Sequence, residues 1–117
     1  MRGQSGNWLS YRDKEHIDTI ADGLALKKPG KKPFGLVQKY VDEIILVTED
    51  EIKKALVFIL ERAKLLVEPS GAVTVAAIIS NKINIKNKEV VTILSGGNID
   101  LDKLVNFLKE EITSIKE

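Results

Sequence analysis

Two short segments of this sequence combine residues suited to holding a small molecule. Ser95-Gly96-Gly97-Asn98 follows an apolar run, Val90–Leu94, and precedes a helical pattern. In open α/β sheets, ligands bind at the C-terminal ends of strands, where such a segment would lie. Two glycines let the backbone approach a ligand closely, and the serine hydroxyl and asparagine amide supply oriented donors and acceptors. The same four residues also make an ordinary strand-to-helix turn, so the motif alone leaves both uses open. It is not a Walker loop, because no Gly-Lys-Ser/Thr follows. Glu68-Pro69-Ser70-Gly71 stands where a helix should begin, with Pro69 suited to the first helical position. The helix N-terminus and Ser70 suit an anion. Equally, Glu68 complements the positive end of the helix dipole with no ligand at all.

Other polar groups carry less. Lys27-Lys28-Pro29-Gly30-Lys31-Lys32-Pro33 puts four lysines around a Pro-Gly turn, which is either a phosphate-binding patch or a solvated basic loop. Glu49, Asp50 and Glu51 are adjacent, but a helix cap accounts for them. The single histidine, His16, cannot build a His-rich metal site, and the absence of cysteine excludes disulfides, zinc thiolates and cysteine nucleophiles. No metal site is expected. Lys+Arg is 18 and Asp+Glu is 17, a net charge of +1, which argues against a dedicated nucleic-acid or membrane-surface binder. No apolar run approaches the ~18–20 residues of a membrane span, and no signal-peptide core is present. The expectation is a soluble, cytoplasmic protein.

The elements that must position these groups alternate in type. Residues 1–16 are polar and without periodicity, carry the only tryptophan, Trp8, and are expected to be a loop or leader. Asp22-Gly23 is a turn signal. Phe34–Val41 has a short helical period. Ile44–Val47 is apolar throughout, as a strand covered on both faces is. Thr48-Glu49-Asp50-Glu51 then has the form of a capping box, followed by apolar positions Ile52, Ala55, Leu56, Ile59, Leu60, Ala63 and Leu66 on one helical face. Ala72–Ile79 is apolar nearly all round and predicts a tightly buried helix. Val90–Leu94 is a second buried-strand candidate. Asp100 can cap a last helix with Leu101, Leu104, Val105, Leu108 and Ile112 on one side. Together these predict an α/β fold: part of a mostly parallel sheet flanked by helices. So few strands would leave apolar edges open, so the sequence is expected to be a piece of a larger sheet.

Four segments, in this order, resemble the C-terminal half of the threonine dehydratase and serine racemase group. They are Asp18-Thr19-Ile20-Ala21-Asp22-Gly23 with Lys27-Lys28-Pro29-Gly30; Val41-Asp42-Glu43-Ile44 through Val47-Thr48-Glu49-Asp50-Glu51-Ile52; Glu61-Arg62-Ala63-Lys64 through Val67-Glu68-Pro69-Ser70-Gly71-Ala72; and Leu94-Ser95-Gly96-Gly97-Asn98-Ile99-Asp100. Lys27–Gly30 favours the dehydratase side. The resemblance implies a fold-type II pyridoxal-phosphate (PLP) enzyme, similar to the tryptophan synthase β subunit, that deaminates threonine and usually serine to a 2-oxo acid and ammonia. It implies that Ser95 is the serine whose hydroxyl faces the pyridine nitrogen, with Gly96 beside it on the cofactor-binding loop. It implies that Glu68 is a polar neighbour of the cofactor, and that Asp22 and Gly23 approach the site mainly by backbone.

The same resemblance has gaps. The group's Schiff-base lysine lies in a Ser-Phe-Lys-type segment of the N-terminal half, and its phosphate-cradling glycine-rich loop lies there too; neither is in this sequence. No lysine here matches that role, so no catalytic residue is assigned. Residues 17–117 are expected to be the C-terminal portion of a PLP-dependent catalytic domain in truncated, split or excised form, inactive alone. The expected partners are the missing N-terminal half and further copies in a homo-oligomer. A rival of another class is a non-catalytic α/β assembly or ligand-binding module in which Ser95–Asn98 is only a turn.

Overall fold

The computed structural model describes residues 17–116, with side chains described as far as Thr113. Residues 1–16, with Trp8 and His16, lie outside the described residues. In chain order there is a short 3-10 turn at Asp22–Leu24, then α1 (Lys31–Tyr40), α2 (Glu49–Ala63), α3 (Pro69–Ile79) and α4 (Leu101–Lys116).

The α2 helix starts where its sequence directs. The Thr48 hydroxyl accepts the Glu51 N–H at 3.3 Å, and the Glu51 carboxylate accepts the Thr48 N–H at 2.7 Å. This reciprocal pair satisfies two donors that the first helical turn leaves free. Ile52, Ala55, Leu56 and Ile59 are buried as the periodicity predicts. The helix stops at Ala63, short of the expected Leu66. Lys64 takes a left-handed conformation (φ 58°) and its ammonium donates to the Glu61 carbonyl at 2.6 Å, which suits the negative end of the helix. The turn brings Val67 into the core and places Pro69 at the head of α3.

The main helix contact is α2 with α3. Ala55 on α2 and Ala72 and Ala76 on α3 are wholly out of solvent. With nothing beyond Cβ at these positions the helices can approach closely, and Ile52, Leu56, Ile59 and Val67 complete the core. The α4 helix lies against α2. Lys53 donates to the Glu110 carboxylate at 2.6 Å, and that bond holds its ammonium above the usual lysine range. The inward face of α4 differs from the expected one. Leu104, Phe107 and Glu111 turn inward, while Leu101, Val105 and Ile112 are exposed. α1 begins at Lys31, three residues earlier than its apolar period suggests, and has no buried residue.

The expected sheet is not present among the described residues, none of which is in a strand. Ile44–Val47 and Val90–Leu94 each have one covered side only. Val47 and Leu94 pack on the helical core. The Thr74 hydroxyl donates to the Ile93 carbonyl at 3.1 Å, and Lys82 donates to the Leu46 carbonyl at 2.8 Å. On the other side Val91 is 92% exposed and Ile93 73%. Parallel strands are hydrogen-bonded by neighbours reached through long crossovers. The sequence pattern records two covered faces, and these residues supply one.

No helix among the described residues is long and apolar enough to cross a membrane. The α2–α3 seam yields a direct test. Ala76→Leu should lower stability by about 1–3 kcal/mol by overpacking, read as a lower denaturant midpoint. An unchanged midpoint would show that the seam is not tight.

Candidate functional site

The expected site residues come together around the first turn of α3. Glu68 is its N-cap residue, with extended backbone (φ −83°, ψ 162°), and its side chain makes no capping bond. The carboxylate instead lies over Gly96: a methyl group on Gly96 would sit 2.7 Å from Glu68 Oε1. Gly96 has φ +87°, a conformation that favours glycine. The Glu68 N–H donates to the Gly96 carbonyl at 3.2 Å. A methyl group on Gly71 would meet the Ser95 carbonyl oxygen at 2.7 Å, and one on Gly97 the Leu66 carbonyl oxygen at 2.6 Å. Three glycines therefore let two backbone segments, 66–71 and 95–97, run almost in contact.

Gly23 closes the cluster from the other side. A methyl group there would lie 2.8 Å from Ser70 Oγ and 3.9 Å from Glu68 Oε1. Ser70 Oγ is buried and has no hydrogen-bond partner. Ser95 is exposed at the end of the 90–94 segment. Beside the cluster a polar cleft of about 160 Å³ is lined by Ile20, Asp22, Pro69, Asn98, Ile99, Asp100 and Lys103. Ligand pockets are commonly ~300–1,000 Å³, so this cleft is at most one corner of one. Among the described residues no group of three or more His, Asp or Glu is placed to hold a metal ion.

Ser95, Gly96, Glu68 and Gly23 are thus neighbours, although they are up to 73 positions apart in sequence. The lysines of 27–32 are not part of the cluster. They are exposed, and Lys31 and Lys32 open α1. Sequence reasoning missed two features. One is the burial of Ser70, which its place at a helix start does not reveal. The other is Glu49, whose carboxylate accepts the Thr19 hydroxyl and the Ile20 N–H.

Residues 5–96 match the family described as "Pyridoxal-phosphate dependent enzyme". The chain belongs to this family. It is 52% identical over 91 residues to an L-threonine ammonia-lyase of Thermotoga maritima, covering 75% of this chain and 22% of that protein. It is 47% identical over 89 residues to a catabolic L-threonine dehydratase of Staphylococcus aureus, covering 74% and 26%. Among solved structures, the processed form of threonine deaminase isoform 2 from Solanum lycopersicum aligns with a TM-score of 0.72 at 32% identity, over 81% of this chain and 27% of that one. Serine racemase from Dictyostelium discoideum aligns with a TM-score of 0.65 at 45% identity, over 73% and 28%. The chain thus spans about a quarter of the length of each. These relatives include both dehydratases and a serine racemase, the group that the four sequence segments resemble.

The close approach of the two backbone segments predicts an asymmetric response to added methyl groups. Gly96→Ala should destabilise by about 1–3 kcal/mol, from the left-handed backbone and the Glu68 contact together. Glu68→Ala in the same chain should recover the contact part and leave the backbone part. Thermal unfolding of the single and double variants measures both. Equal stability of Gly96→Ala and the unmutated chain would show that the loop stands clear of α3.

Proposed function

We propose that this chain forms one wall of the cofactor site of a PLP-dependent dehydratase that converts threonine, and serine as a related substrate, to a 2-oxo acid and ammonia. The observation that carries the proposal is the gathering of Ser95, Gly96, Glu68 and Gly23 around one helix start at an open surface. The identity to threonine ammonia-lyases supports the choice of substrate. The Lys27–Gly30 segment favours a dehydratase over a racemase.

The residues present fit such a cofactor. Glycines at 23 and 96 let the Ser70 hydroxyl and the Glu68 carboxylate lie close against the backbone, and Ser70 Oγ is a buried hydroxyl still without a partner. PLP, when bound, supplies the electron sink that lets the substrate α-carbon give up its proton. Ser95 would hold the pyridine nitrogen. A hydroxyl is neutral, so it does not favour a protonated ring as a carboxylate would. Glu68, when ionised, only accepts hydrogen bonds, and from its place over Gly96 it would orient polar hydrogens at the edge of the site.

The rest of the site, including the amine that binds the cofactor, is assigned to family residues outside this sequence, on the same polypeptide or another. Covalent chemistry on PLP needs a positioned lysine, and the sequence has no segment that matches one. The apolar outer faces of 44–47 and 90–94 are proposed to lie against the strands of that remainder, completing the parallel sheet.

Two measurements test the proposal. The chain by itself should release no ammonia from threonine, while joining it to the N-terminal portion of a threonine ammonia-lyase should restore PLP absorbance and turnover. In the joined protein Ser95→Ala should weaken PLP binding by roughly tenfold to a hundredfold, the cost of a hydrogen bond left unmade in a mostly buried site. If Ser95→Ala matches the unmutated protein in both PLP affinity and rate, the 95–98 loop is only a turn.

A further inference from the structure

We propose that Glu49 is a positioning residue, holding Gly23 against the head of α3 from outside the site. Glu49 is the first residue of α2, where its charge is favoured by the helix dipole. It is not needed for the cap, because Thr48 and Glu51 complete the capping box between them. Both of its oxygens are spent on a segment 29 and 30 residues earlier. The Thr19 hydroxyl donates to Oε1 at 2.6 Å, and the Ile20 N–H donates to Oε2 at 2.9 Å. Bonds to an ionised acceptor are the stronger kind.

The tether runs on from Thr19 to Gly23 without a break. Thr19 Oγ1 also accepts the Ala21 N–H at 3.1 Å, so its hydroxyl is fixed as donor on one side and acceptor on the other. Ala21 is buried in the core. Its carbonyl accepts the Leu24 N–H at 2.9 Å, and the Asp22 carbonyl accepts the Ala25 N–H at 3.0 Å. These bonds close the 3-10 turn that contains Gly23. Among the described residues, the other charged contact to this turn is Lys103 with Asp22, at 3.9 Å between side chains that are more than half exposed, where an ion pair holds little. The clearance at Gly23 is small, since a single methyl group would reach within 2.8 Å of Ser70 Oγ. A shift of the turn by a fraction of that distance changes what Glu68 and Ser70 face. The functional consequence rests on the reading of Gly23 and Glu68 as cofactor neighbours; the mechanical step does not.

The test uses Glu49→Gln, Thr19→Val and the double variant. Glutamine keeps the length of the side chain, but its amide nitrogen cannot accept a hydrogen bond. Thr19→Val breaks the tether without touching α2, and so serves if Glu49→Gln loses helical circular dichroism. Amide exchange in the 117-residue chain should quicken by on the order of tenfold or more at Ile20, Ala21, Leu24 and Ala25, and stay unchanged at Leu56 and Ile59 of α2. The double variant should exchange little faster than either single one, since both cut one tether. In the joined protein described above, Glu49→Gln should raise the PLP dissociation constant by about tenfold. Unchanged exchange in the turn overturns the proposal. So does equal acceleration throughout α2, which would make Glu49 a general stabiliser. A loosened turn with unchanged PLP affinity overturns its role in the site. An unmutated joined protein that takes up no PLP overturns the functional reading instead, and the exchange data then decide Glu49's hold on Gly23 alone.

Discussion

The near-contact between the start of α3 and the 95–97 loop is the constraint on which the site depends. Backbone segments from different parts of a chain rarely run this close without hydrogen-bond ladders, because Cβ atoms keep them apart. Here Gly71, Gly96 and Gly97 remove the obstruction, each at a point where a methyl group would meet a carbonyl or carboxylate oxygen at 2.6–2.7 Å. The single Glu68 N–H bond to Gly96 then fixes the register of the two segments. The place of the Glu68 carboxylate over Gly96 follows from that register.

The helical layer behind this contact explains why it can be held by so few bonds. Pro69 sets the first turn of α3, and the alanines along α2 and α3 let those helices close on each other with little side-chain entropy to lose. The layer is firm on the side where Val47 and Leu94 enter it and unfinished on the other. Val91 and Ile93 point away from the helices and are open to solvent. The outer stripe of α4, with Leu101, Val105 and Ile112, is also exposed. Much apolar surface is thus uncovered in a chain that spans about a quarter of the length of the relatives it matches.

Local chemistry was legible wherever one segment decides the outcome. Thr48 and Glu51 announce a cap because both partners sit within one turn, and α2 follows with Ile52, Ala55, Leu56 and Ile59 buried as their spacing requires. Pro69 marks the head of α3 for a similar reason. The four family-like segments named the enzyme group, and they also marked out Gly23, Glu68, Ser95 and Gly96, which the fold gathers. Where the outcome depended on more than one segment, the pattern was not enough. Apolar runs at 44–47 and 90–94 signal strands, but pairing needs neighbours. The amphipathic period of α4 is compatible with more than one inward face, and packing on Lys53 and the core chose Leu104, Phe107 and Glu111.

By itself the sequence determined the Thr48–Glu51 cap, the starts of α2 and α3, the alanine-rich seam and the membership of a cofactor-dependent family, because each is written in residues close together or in a recognisable order. Only the tertiary structure decided that Glu49 reaches back to Thr19 and Ile20, that Ser70 is buried without a partner, and that Gly23 lies against both Ser70 and Glu68. Those relations join residues roughly 30 to 50 positions apart. No single stretch of sequence specifies them, because hydrogen bonds and close approaches depend on where the α2–α3 packing brings the backbone.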